Sequence, residues 1–154
     1  MSREKRSASR LGAVQALYQM DIGGTPMTEV FAEFESHWLG REVEGDAYKP
    51  AEVAFFRDVV EGVVRDQIAL DKGIDAALAT GWPLKRIEAI LRAVLRAGAY
   101  ELANRKDVPA RVVIAEYVDV ANAFVDKDEA GMANGVLDTL ARDYRAGEFE
   151  SAAS

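Results

Sequence analysis

The sequence predicts an all-α protein, a compact single-domain bundle of about seven helices. Three observations lead there: abundant alanine with only four prolines in 154 residues, apolar residues recurring at three- and four-residue spacing, and scarcely any strand-like alternation. At 49% hydrophobic, the chain has enough apolar surface for one core. Residues 1–147 are read as the folded domain and 148–154, rich in Ala and Ser, as a flexible tail.

The elements follow in order. From Ser2 or Arg3 to about Met20, Leu11, Val14, Leu17 and Tyr18 fall at helical spacing, and Gly23-Gly24-Thr25-Pro26 ends the pattern. Thr25 is placed to cap a second helix with Pro26 in its first turn and Phe31, Phe34 and Trp38 as its buried stripe. Gly40 stops it, and Arg41 to Lys49 reads as a loop. Pro50 restarts the chain. Val53, Phe56, Val60 and Val63 or Val64 keep the helical period toward Leu78, with a break expected near Asp71 to Gly73 that makes two helices. After "TGWP" comes the strongest amphipathic run: Leu84, Ile87, Ile90, Leu91, Val94, Leu95 and Leu102, ending near Asn104. "RKDVP" turns the chain into a helix from Pro109 to about Val125, with Val113, Tyr117, Val120 and Phe124 inward. The last helix is expected from near Asp128, carrying Met132, Val136, Leu140 and Tyr144.

Several function classes lack their parts. Without cysteine there is no disulfide, thiol nucleophile or thiolate metal site, which fits a reducing cytoplasm. No apolar run approaches the ~20 residues that span a bilayer, and no signal-peptide core opens the chain, so a cytoplasmic protein without a membrane partner is expected. His37 is the single histidine, so imidazole triads and histidine metal sites cannot be assembled. "DIGGTP" has neither the lysine nor the preceding strand of a phosphate loop. No catalytic residue, metal or cofactor is expected.

Charge is unevenly spread. The net charge is -7, yet Arg3, Lys5, Arg6 and Arg10 against Glu4 make the first ten residues +3. On a helix, Arg3, Arg6 and Arg10 stand at i, i+3 and i+7, a basic ridge at the helix end where the macrodipole disfavours cations. A phosphate backbone would satisfy both the arginines and the helix terminus; a frayed, solvated terminus is the alternative. Arg92 and Arg96 share a helix face, with Arg105 and Lys106 just beyond its end, and could enlarge a basic site. Gly131 and Gly135, four apart, each cost about 1 kcal/mol relative to alanine. Close approach of another backbone, or of a ligand, would compensate.

"ASRLGAVQALYQMD", "AVLRAGAYELANRKDVPARVVIAEYVDVANAF" and "ANGVLDTLAR", in that order and spacing, resemble the bacterial antitermination factor NusB family. The resemblance covers helix one and nearly everything from Ile87 onward. It implies an all-helical domain without enzymatic activity that pairs with NusE, a small-subunit ribosomal protein. The pair would bind boxA RNA and join the RNA polymerase antitermination complex, helping polymerase read through terminators, notably in ribosomal RNA operons. By position, the resemblance makes Arg6 and Arg10 RNA contacts, with Arg3 and Lys5 as neighbours. Arg96 matches the arginine before "YEL", with Arg92 beside it, and Tyr18 closes "QALY" on the side where NusE would dock.

The sequence also departs from the family. Ser7, Ala8 and Ser9 interrupt the arginine run, which implies fewer phosphate contacts. Ala115 lacks an amide, and Met132 stands for an aromatic that would stack on a base at about 1–3 kcal/mol. Leu91 replaces an acidic residue, so a hydrophobic contact with NusE would replace a charged one. Asp128 would cap the last helix but repel a nearby RNA backbone. Two other readings remain: a NusB-like domain of a ribosomal RNA methyltransferase, whose glycine-rich loop and catalytic cysteines are missing here, and a protein-binding or self-associating module, including a homodimer.

Overall fold

The computed structural model describes residues 3–42, 50–78 and 87–153, with side chains over 6–36, 52–78 and 87–149. The helices are α1 (Arg3–Gly23), α2 (Met27–Glu42), α3 (Pro50–Ala77), α4 (Ala89–Asn104), α5 (Ala110–Asn122), α6 (Lys127–Tyr144) and α7 (Ala146–Ala153). Among the described residues there is no strand.

The all-α bundle is as expected, but the seven helices among the described residues divide differently. The break near residues 71–73 is absent: α3 runs through Gly73 because Leu70 and Ile74 are buried on either side of it and Asp71 holds Arg96 of α4. The extra helix comes instead from the C-terminal segment. Arg145 leaves helical geometry at φ -134° and separates α6 from α7. Its buried guanidinium donates to the carbonyls of Glu101, Leu102, Arg105 and Val108, closing the end of α4 and the turn that follows. The tail expected to fray from residue 148 is helical through Ala153, with Phe149 packed on the core and Glu148 accepting from the Ala110 backbone N–H at 3.0 Å.

α4 is the centre of the bundle, packed by α1, α3, α5 and α6. Ala93, Ala97, Gly98 and Ala99 keep its surface low enough for neighbours to approach closely. A Cβ on Gly98 would lie 2.8 Å from Leu137 of α6, and one on Gly62 of α3 would collide with the Tyr100 ring. Register is set by pairs along the axis. Arg10 meets Glu101 and Asp21 meets Arg92, so α1 runs antiparallel to α4; Gly98 meets Leu137 and Leu102 meets Arg145, so α6 runs parallel to it.

Smaller expectations divide. Phe31 is buried and stacks edge-on against Phe56, Phe34 is half-buried, and Trp38 and His37 lie outside the residues with described side chains, as does Leu84. Pro26 precedes α2 and its carbonyl accepts from Val30. Phe124, expected inward, is 44% exposed because α5 ends at Asn122 and the chain turns there. The cap of α6 is Asp126, whose carboxylate accepts from the Glu129 N–H at 2.8 Å; Asp128 lies inside the first turn.

Candidate nucleic-acid interface

The basic end of α1 is fixed to the bundle by a buried ion pair. Arg10 is 2% exposed, and its Nε and Nη2 donate to the two oxygens of Glu101 at 2.8 and 3.0 Å. This fork-to-fork geometry is the strong form of a charge-assisted hydrogen bond. The Tyr117 hydroxyl also donates to Glu101, and Glu116 lies 3.8 Å from the Arg10 guanidinium. Burial first, and then the charge of Glu101, push the Tyr117 phenol well above its ordinary value, so it stays a donor. Ser7 donates to Glu116 at 2.8 Å, and the buried Ser9 donates to the Glu52 carbonyl at 3.2 Å. The residues that interrupt the arginine run thus seat α1 against α5 and α3.

Arg10 therefore does not sit on a surface ridge: its guanidinium is consumed inside the core by Glu101. Arg6 is different. Its side chain is 31% exposed, lies over the Phe55 ring at 5.0 Å and approaches Asp107 only to 3.8 Å. Arg3 and Lys5 lie on the backbone of α1 but outside the residues with described side chains. Sequence reasoning missed Phe55, against which the guanidinium groups of Arg6, Arg10 and Arg105 all stack at 4.9 to 5.1 Å. It also missed Glu101, though an acid inside the apolar run of α4 was a readable sign of a buried cation.

Arg92 and Arg96 do share a face, but that face turns inward. Arg92 donates to Asp21 at 2.8 Å and to the Ile87 carbonyl at 3.1 Å; Arg96 grips both oxygens of Asp71 at 2.8 Å and lies 3.6 Å from Asp21. These arginines tie α1, α3 and α4 together rather than presenting a free basic stripe. Leu91, expected to meet a partner, is buried in the core. Tyr18 is half-buried against the core. The same stretch of α1 lines a groove of about 300 Å³ formed by Leu17, Met20, Asp21, Val63, Val64, Gln67 and Arg96. Next to it on α3, Ile68 is 89% exposed.

Met132 is half-buried and Asp128 exposed, one helical turn apart on α6. Their end of α6 approaches Glu88 at the start of α4, whereas Arg6 lies by Asp107 beyond the end of α4. The structure therefore does not bring Met132 and Asp128 beside Arg6. Gly131 and Gly135 face open space, with no described atom within 4 Å of an added Cβ, so packing among the described residues does not account for them.

These elements define an all-helical domain whose first helix is anchored by a buried ion pair and carries the half-exposed Arg6 near its end; among the described residues no group of three or more His, Cys, Asp or Glu could hold a metal. Nor is any described helix long and apolar enough to cross a membrane. The NusB family model matches residues 7–142. The transcription antitermination protein NusB of Nitrobacter hamburgensis is 73% identical over 145 residues, covering 94% of this chain and 91% of the relative. That of Bradyrhizobium diazoefficiens is 72% identical, covering 94% and 88%. Among solved structures, T. maritima NusB superposes with a TM-score of 0.79 at 26% identity, covering 94% of this chain and 96% of that one. The fold is also that of a NusB solved with NusE and double-stranded RNA, with a TM-score of 0.77 at 24% identity, covering 93% of this chain and all of that one. The chain belongs to the NusB family.

Proposed function

We propose that this NusB-family antitermination factor acts by binding rather than catalysis, in the cytoplasm. It holds boxA RNA together with NusE and so helps RNA polymerase read through terminators, notably in ribosomal RNA operons. The observation that carries this reading is the anchored cationic end of α1: Arg10 is spent on Glu101, while Arg6 remains half-exposed over Phe55 beside Arg3 and Lys5 in the chain. A fixed cation loses little freedom on meeting a phosphate, so an acidic protein can still hold RNA locally. The NusB solved with NusE and double-stranded RNA supports the choice of partners.

RNA would enter at the α1 end and extend toward Asp128 and Met132, where a methionine covers a base face. NusE would take the opposite side of α1, at Tyr18 and the groove floored by Leu17 and Val63. The test is a titration of boxA RNA with and without NusE, paired with size-exclusion chromatography. RNA binding strengthened by NusE is expected. A dimer that ignores RNA would favour the self-associating module.

A further inference from the structure

Asp107 sits in the turn between α4 and α5, where a carboxylate would ordinarily cap the following helix. It does not: Pro109 holds the cap position without a side-chain bond, and Glu148 takes the Ala110 N–H instead. Asp107 turns toward the arginines. Its two oxygens accept from Arg105 Nε and Nη2, both at 3.1 Å, and one lies 3.8 Å from Arg6. Against the cost of burial, the Arg105 hydrogen bond and charge, with help from Arg6, hold the Asp107 carboxyl below the usual range.

We propose that Arg6 and Arg105, stacked on Phe55, form a cleft for one RNA phosphate, and that Asp107 fills this cleft in the free protein and is displaced when RNA arrives. This rests on the RNA-binding reading above and adds to it the second arginine and the internal competitor. Three observations support it. The two guanidinium groups lie 5.0 and 4.9 Å from the Phe55 centroid and both approach the same Asp107 oxygen, Arg105 Nη2 at 3.1 Å and Arg6 Nη2 at 3.8 Å, so they are held close together. Each has a hold besides Asp107: Arg105 is also bound by Asp58 at 3.3 Å, itself fixed by the Tyr100 hydroxyl at 2.7 Å, and Arg6 rests on Phe55. Asp107 satisfies the pair incompletely, because the Arg6 Nε is buried with no hydrogen-bond partner among the described residues and the Asp107 side chain is 53% exposed. A phosphate has more acceptor oxygens than a carboxylate and matches the same fork geometry, so it can serve both arginines. The backbone of the turn need not move, since Arg145 clamps its carbonyls; only the Asp107 side chain must rotate.

The test compares wild type, Asp107→Asn, Arg105→Lys and the Asp107→Asn/Arg105→Lys double variant by titration with single-stranded boxA RNA and NusE at several salt concentrations. Asp107→Asn should tighten RNA binding about threefold or more and steepen the salt dependence by about 0.7 in log–log slope, one added phosphate on a single strand. Arg105→Lys keeps the charge but loses the fork, and should weaken binding and abolish the gain in the double variant. Unchanged or weaker RNA affinity in Asp107→Asn, with wild type still binding, overturns this inference alone. Tighter NusE binding with unchanged RNA affinity also overturns it, assigning the arginines to a protein carboxylate. Asp107→Ser removes the same charge with a smaller side chain, and loss of the fold in both Asp107 variants overturns the inference by making this side chain structurally indispensable. Wild type that binds no RNA under any condition overturns the RNA-binding reading as well.

Discussion

Arg10 of α1 and Glu101 of α4, 91 residues apart in sequence, form a two-pronged ion pair in the core at 2.8 and 3.0 Å. Glu101 also receives the Tyr117 hydroxyl, so one carboxylate joins α1, α4 and α5. A buried pair of this kind gains little over a well-packed apolar pair, but losing one partner strands a charge.

Arg10→Met should therefore destabilise the protein by about 3–5 kcal/mol, because Glu101 is left buried without its cation. Arg10→Met with Glu101→Leu should recover much of that loss. Urea denaturation of the three proteins measures both, and a single variant within about 1 kcal/mol of wild type would contradict the buried pairing.

Gly135→Ala should stabilise α6 by about 0.5–1 kcal/mol, and Gly131→Ala by a similar amount, because an added methyl meets no described neighbour and alanine favours the helix. Thermal melting measures the gain. If either variant also loses RNA affinity, the bare backbone at that position is a ligand contact, the role packing does not supply.

Asp128→Asn should tighten boxA RNA binding with only a small loss of stability. Asp126 keeps the capping bond to Glu129, so the substitution removes one exposed charge from the first turn and nothing from the cap. Parallel titration and melting would show it; weaker RNA binding would place Asp128 outside the path of the RNA.

Much of the fold was legible because helical period and breakers are local signals. Leu91, Val94, Leu95 and Leu102 marked α4 as central, and they are buried. What period could not resolve was the chemistry of the stripe. Arg10, Val14 and Leu17 are spaced at i, i+4 and i+7, so the apparent basic ridge merges into the buried face, and only Glu101 from a distant helix explains a cation there. The same holds for Arg92 and Arg96, whose partners Asp21 and Asp71 come from two other helices. The helical continuity at Gly73 and the split at Arg145 likewise depend on long-range contacts, Asp71 with Arg96 and Arg145 with the α4 carbonyls. The NusB family resemblance, resting on runs of sequence rather than on single contacts, survived these corrections.

The central claim is that the end of α1 divides its labour, Arg10 anchoring and Arg6 meeting RNA. The most direct measurement is the salt dependence of boxA RNA affinity, with NusE present, for wild type and Arg6→Ala. Weaker binding with a log–log slope reduced by about 0.7, at nearly unchanged melting temperature, is the predicted result. An unchanged affinity and slope in a folded Arg6→Ala protein would contradict it.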